Sequence, residues 1–266
     1  MQVSDVPAVA ATLSSAFSDG SGGRSDWSSY LQRALAADLL DLEATSLARL
    51  GGALVGASLV LRDAERGHIG ATGVVLGARR LGAAQRMIGR SLEVLTGHGV
   101  TDVRLEVAED NVRARRVYAR SGLTAGRRLV TWRGRVTASA TLPAEAIPIA
   151  VAVATLTQRG EADPPFGRRA RSLALTLSQR QREFTALQCR AVVVVHCGGL
   201  VLALGGELDD TAAVASVLAH LCCDVARLRL PLVAERQAPS ACLAGLGLAP
   251  VEAVLELRVP NASVSS

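Results

Sequence analysis

Apolar positions along the first half of the chain switch between two periods. Val6 to Phe17 repeats at helical spacing, with Asp5 at the N-cap position and Pro7 in the first turn. The loop SDGSGGRSD follows, and Asp26 to Leu42 returns to helical spacing. SLARL, a Gly51–Gly52 turn and ALVGASLVL then read as a hairpin, and His68 to Leu76 as a third strand. Gly82 to Leu95 is helix-periodic through Ala83, Met87, Leu92 and Leu95. Val103 to Val107 is a short strand ending at a polar corner, and Asn111 to Ser121 is a helix stopped by Gly122. Leu123 to Trp132 closes as a strand. The order α-α-β-β-β-α-β-α-β predicts an α/β domain built on a mixed sheet.

The stretch TASATLPAEAIP, residues 137–148, has no period and carries two prolines, so the chain is expected to divide into residues 1–138 and 139–266. The second half repeats the outline more faintly. AVVVVHC, a Gly198–Gly199 turn and LVLALGG mirror the first hairpin and its Gly51–Gly52 turn. A helix from Asp210 to Cys223, a strand RLRLPLV, a short helix before Gly247 and a strand VLELRV follow. The repeat is one of pattern rather than of letters, and it predicts a tandem fold with a diverged second copy.

Composition narrows the class. The hydrophobic share is 49% with 3% aromatic, so the core must be built from Ala, Val and Leu, and disordered, collagen-like and disulfide-framework classes are excluded. Mean hydropathy is high at +0.29. No stretch reaches the roughly 20 uninterrupted apolar residues of a membrane helix, because His196 and Gly198–Gly199 break the longest candidate. MQVSDVPAVA has an acid where a signal peptide has bases, so a cytoplasmic location is expected. The net charge is +5, and all 29 basic residues are arginines. Such a lysine-free, Ala- and Arg-rich composition is what a GC-rich genome produces, so the charge alone does not name a partner. Arg168, Arg169 and Arg171 form a basic cluster without the aromatic platform that nucleic-acid binding uses. Of the five cysteines, Cys189, Cys197, Cys222, Cys223 and Cys242, four sit among apolar neighbours, and they read as buried thiols rather than disulfides. His196–Cys197 and His220 with Cys222–Cys223 lack the paired spacing of a zinc site, so no metal is expected.

Two segments carry candidate chemistry. In GVVLGARRLGAAQRMIGRSL a strand runs through an arginine-bearing loop into a long helix. The first turn of such a helix offers unpaired amides and a positive dipole end. Gly82 and Ala84 let a phosphate approach the backbone, and Arg79 and Arg80 add counter-charge, although an ordinary glycine-containing helix start looks the same. In LEVAEDNVRARRVYARSGL, Asn111 stands at an N-cap and Tyr118 two turns on along the same face. Alone, a capping Asn and a core Tyr account for that pair.

Together, in this order, the two segments resemble the GNAT superfamily of acyl-coenzyme A-dependent N-acetyltransferases. Arg79-Arg80-Leu81-Gly82-Ala83-Ala84 meets the family's pyrophosphate loop, Arg/Gln-x-x-Gly-x-Gly/Ala. Asn111, Ala114, Val117, Tyr118, Gly122 and Leu123 meet its second motif at every position. Leu76 and Ala78 depart from the proline and aromatic common there. The resemblance covers about residues 3–135 and implies acetyl-coenzyme A as co-substrate. It implies that the amides of Arg80, Leu81, Gly82, Ala83, Ala84 and Gln85 hold the pyrophosphate. Backbone groups of Thr72, Gly73 and Val74 would pair with the pantetheine arm, and Asn111 would steady the cofactor. Tyr118 would protonate the departing thiolate. Glu106 matches the base position of enzymes similar to ribosomal-protein N-terminal acetyltransferases, although an exposed strand glutamate looks the same; Glu109 and His68 are weaker candidates. The implied acceptor is a small-molecule or peptide amine, with no membrane or nucleic acid as partner and a homodimer left open.

The second half lacks this equipment. Glu207, Asp209 and Asp210 stand where a phosphate loop would precede the helix, and Gln237 to Leu248 has no Asn–Tyr pair. The expectation is one active N-terminal copy and one degenerate copy. The alternative is a catalytically silent acyl-coenzyme A-binding pseudoenzyme or scaffold, favoured by the absence of an acid from the strand HIGATGVVL.

Overall fold

The computed structural model describes residues 1–18, 26–64, 66–159, 184–224, 227–234 and 238–260. The chain forms two compact units: residues 1–126 with 255–266, and residues 127–254. It passes from one to the other inside a strand each time.

In unit 1, a single turn of 3-10 helix (Val3–Asp5) leads into α1 (Val6–Ala16), and α2 (Trp27–Ala36) follows. The sheet is β1 (Ser46–Leu50), β2 (Ala53–Asp63), β3 (Arg66–Val74) and β4 (Asp102–Ala108), in that order, with β1 at the edge. β1 to β3 run antiparallel, and β3 is parallel to β4. That parallel step needs a crossover, supplied by α3 (Ala83–Gly97). α4 (Val112–Arg120) follows β4, and the first residues of β5 (Thr124–Gly134) close the unit. Val103, Leu105 and Val107 alternate onto one face of β4 and join Ile69, Ile88, Leu95 and Leu123 in the core.

Unit 2 takes the rest of β5, then β6 (Glu145–Ile147), α5 (Ile149–Arg159), β7 (Thr185–Cys189), β8 (Val192–Cys197) and β9 (Leu200–Gly206). α6 (Thr211–Asp224), β10 (Leu228–Ala234), α7 (Ala238–Gly245) and most of β11 (Leu248–Arg258) complete it. Its strand order is β5-β10-β9-β8-β7-β6. Val192, Val194, Leu218, Leu228, Leu230 and Trp132 build its main core. The Gly51–Gly52 and Gly198–Gly199 turns share one conformation, with φ of 56° and 84° in the first and 51° and 87° in the second. Two residues at positive φ are what a tight hairpin turn requires, so the repeat read in the sequence is a repeat of backbone.

The mixed α/β architecture is as expected, with four local corrections. The helix expected to run to Leu42 stops at Ala36, because Asp38 turns left-handed (φ 53°) and the backbone of Leu39 and Asp41 bonds to β2. Asp5 does not cap α1 with its side chain; its carboxylate accepts from the Gln2 amide and approaches Arg49. The third strand ends at Val74, and Leu76–Ala78 is a 3-10 turn. The aperiodic stretch before Ile149 holds β6, paired with β7, and the helix α5 that follows is not marked in the sequence. Most of the loop SDGSGGRSD and the Arg168–Arg171 cluster lie outside the described residues, as does the side chain of Cys223. Among the described residues no helix is long and apolar enough to cross a membrane.

Candidate active site

The site begins where two parallel strands part. β3 and β4 share register at Arg66–Asp102, Gly67–Val103 and His68–Arg104 only, although β3 runs on to Val74 and β4 to Ala108. A bulge helps to turn β3 away: Leu59 pairs with Ala71 and Val60 with Ile69, leaving Gly70 over. The result is a wedge whose walls are the unpaired edges of two strands. Gly73 lets α1 close in on this region. A Cβ there would stand 3.0 Å from atoms of Leu13, Ala16 and Phe17, so a larger residue would push α1 off the strand.

Tyr118 reaches this region from α4. It is half-buried against the core side chains of β3 and β4, and its hydroxyl bonds to the side chain of Thr72. Thr72 in turn lies 2.9 Å from the Ser58 hydroxyl. Burial raises the phenol's pKa above its ordinary value near 10, and the Thr72 bond opposes this only in part. A phenol so placed stays protonated across the physiological range and is available as a donor.

His68, the last residue of β3 paired with β4, meets Glu106 beyond the pairing, with Oε2 of Glu106 3.3 Å from Nε2 of His68. Glu106 lies on the face of β4 opposite the buried Val103, Leu105 and Val107. Its neighbour Arg104 is held by Asp102 at 2.6 Å and by Glu256 at 3.3 Å. Glu256 is 3% exposed and comes from the far end of the chain. His68 and Glu106, expected as rivals for one role, are therefore partners. The contribution of Glu256 has no local signature, because 152 residues separate it from Arg104.

The loop before α3 is the third part. Gly82 is the N-cap at φ 74°, a conformation that would cost another residue about 1–2 kcal/mol. Arg80 adopts a similar φ of 69° without being glycine, strain of the kind that gathers at ligand-binding loops. The first α-helical bond runs from Arg86 N to Gly82 O, so the amides of Gly82 to Gln85 precede the ladder. Arg79 does not project into this space. Its Nε donates to Val74 O at 3.0 Å and its Nη2 to Ala16 O at 2.7 Å, tying the loop to β3 and α1. Arg80 is exposed. Asn111 caps α4 by accepting from Ala114 N at 3.0 Å, worth about 1 kcal/mol.

The corresponding corner of unit 2 is filled. Asp210 accepts from Ala213 N at 3.0 Å and from Arg190 at 3.0 Å, and these contacts hold its carboxyl below the usual range, the Ala213 amide most of all. The amides of Leu208, Asp210 and Thr211 are spent on turn bonds. Among the described residues no group of three or more His, Cys, Asp or Glu is placed to hold a metal ion.

Residues 10–123 match the family model described as acetyltransferase (GNAT) family. This part of the chain belongs to the GNAT acetyltransferases. The wedge, the amide-bearing loop and Tyr118 thus lie inside a GNAT domain, and the chain is an acyltransferase. The likeness in fold extends over the whole length. A tandem GNAT protein from the clavulanic acid biosynthesis pathway matches at 16% identity and TM-score 0.60, over 97% of this chain and 96% of that one. A GCN5-related N-acetyltransferase from Anabaena variabilis matches at 11% identity and TM-score 0.69, over 97% and 70%. One from Sphaerobacter thermophilus matches at 14% and 0.60, over 96% and 92%. No curated protein matches the chain in sequence.

Proposed function

We propose that the GNAT domain transfers an acetyl group from acetyl-coenzyme A directly to an amine, as a cytoplasmic enzyme without a metal. The observations that carry this reading lie along the two strands that part: a half-buried phenol, kept protonated and bonded to Thr72 of β3, and the contact between Glu106 of β4 and His68 of β3. A silent binding protein has no need of either.

The amides of Arg80 to Gln85 would hold the pyrophosphate, with Arg80 as counter-charge. Backbone groups of Thr72, Gly73 and Val74, on the edge of β3 that has lost its strand partner, would take the pantetheine arm as an added strand. Bound there, acetyl-coenzyme A supplies a thioester that an amine can attack. Glu106 would accept the proton of the incoming ammonium, and His68 would hold the carboxylate toward the opening. Tyr118 would give its proton to the departing sulfur, positioned by Thr72. Asn111 would fix the corner between β4 and α4 beside the cofactor. The acceptor is a small-molecule or peptide amine.

The two copies of the tandem are residues 1–138 and 139–266, and the second is degenerate. Its filled loop predicts one cofactor per chain. Calorimetric titration with acetyl-coenzyme A should give a stoichiometry of one; two equivalent sites would refute the degenerate reading.

Glu106→Gln separates a base from a structural glutamate. A base works deprotonated, so wild-type kcat/KM should decline toward acid pH. In the Gln variant activity should be low, and that acidic limb should be gone. A limb that persists unchanged would remove Glu106 from the reaction.

A further inference from the structure

A groove runs along β1, which β2 and β3 separate from the wedge, and at one end it reaches Leu81 and Ala83 of the loop before α3. Among the described residues β1 ends the strand order, and no strand lies beside one edge of its backbone. Thr45 to Leu50 line the groove without a gap. Side chains of a strand alternate between faces, so an unbroken run means that the groove follows the strand edge. The opposite wall is one stripe of α3: Ala83, Arg86, Met87 and Arg90, at spacings of three, four and seven. The space enclosed is about 450 Å³.

Its charge is one-sided. Arg49, Arg86 and Arg90 face it against Glu43 alone, and the carboxylate of Glu43 lies 3.2 Å from His98. The arginines are held only at exposed contacts. Arg49 stands 3.5 Å from Asp5 and 3.4 Å from Gly52 O, Arg90 stands 3.7 Å from Glu93, and Arg86 donates to Leu81 O at 2.9 Å.

We propose that this groove binds an extended acidic peptide, which adds to β1 as a further strand. The strand edge supplies main-chain hydrogen bonds, and a helix stripe facing a strand edge is a shape that admits one extended chain. The three guanidinium groups select carboxylates on alternate residues, and Met87 and Val55 offer an apolar floor to the others. A second copy of this chain fits poorly, because pairing about a two-fold axis would bring two arginine-lined grooves together. Arginine on an edge strand also deters aggregation, but that role needs neither the facing stripe nor the enclosed space.

The test is fluorescence anisotropy of the full chain with fluorescein-labelled Val-Glu-Val-Glu-Val-Glu at low salt. Saturable binding is expected. Arg49→Glu with Arg90→Glu should weaken it by about 10-fold, as the loss of two modest ion pairs implies. Both side chains are exposed, and an unchanged melting temperature checks the fold. The same peptide N-methylated at every second residue should not bind. Equal binding of the methylated peptide would mean attraction by charge alone and would overturn the proposal. So would a double variant that binds as wild type, displacement of the probe by acetyl-coenzyme A, or a dimer that forms through the edge in its place.

Discussion

Gly82→Glu is expected to abolish acetyl-coenzyme A binding in a protein that still folds. Gly82 sits at φ 74° immediately before the open amides of α3. The backbone strain of a side chain there is about 1–2 kcal/mol, a tolerable fraction of the roughly 5–15 kcal/mol that a domain commands. A Cβ would meet only Arg86 Nη1, at 3.1 Å, and that flexible group can move. The ligand is affected far more. A carboxylate would stand at the positive end of the helix, where the proposed site takes the pyrophosphate. Calorimetry should detect no binding to the variant while its melting temperature falls only modestly. Unchanged affinity in the folded variant would remove the loop from the cofactor site.

Tyr118→Phe should lower kcat by ~10²-fold, as expected for a positioned general acid, with little change in acetyl-coenzyme A affinity. A thiolate is a tolerable leaving group near neutral pH, so the loss should not be total. The substitution keeps the ring against the core and removes only the hydroxyl that bonds to Thr72. Because burial raises the phenol's pKa, its protonated form prevails up to and beyond pH 10, and it should impose no alkaline decline below that pH. Equal turnover by Tyr118→Phe and wild type would reduce the tyrosine to a core residue.

The parts of this site that were legible in the sequence are those built from neighbours in the chain. The glycine at Gly82, the N-cap at Asn111 and the two-turn spacing to Tyr118 are local geometry, and backbone periodicity fixes them. The parts that were not legible depend on strands meeting. Whether His68 reaches Glu106 depends on the register of β3 against β4 and on the bulge at Gly70, which no local period announces. Arg79 matches the phosphate-loop motif, yet its guanidinium is drawn to two backbone carbonyls that the chain brings in from 5 and 63 residues away. Likewise a strand carries no mark that its partner lies in the other half, as with Glu256 beside Arg104. The helix α2 ends early for the same reason: β2 claims the backbone of Leu39 and Asp41.

The central claim is tested most directly by coenzyme A release. The full chain would be incubated with acetyl-coenzyme A and a library of small-molecule and peptide amines, with Tyr118→Phe run in parallel. The account predicts release that depends on particular amines, matched by the acetylated amine in the mass spectrum, and about 10²-fold slower in the variant. Saturable acetyl-coenzyme A binding with no amine raising release above the rate in its absence would contradict it.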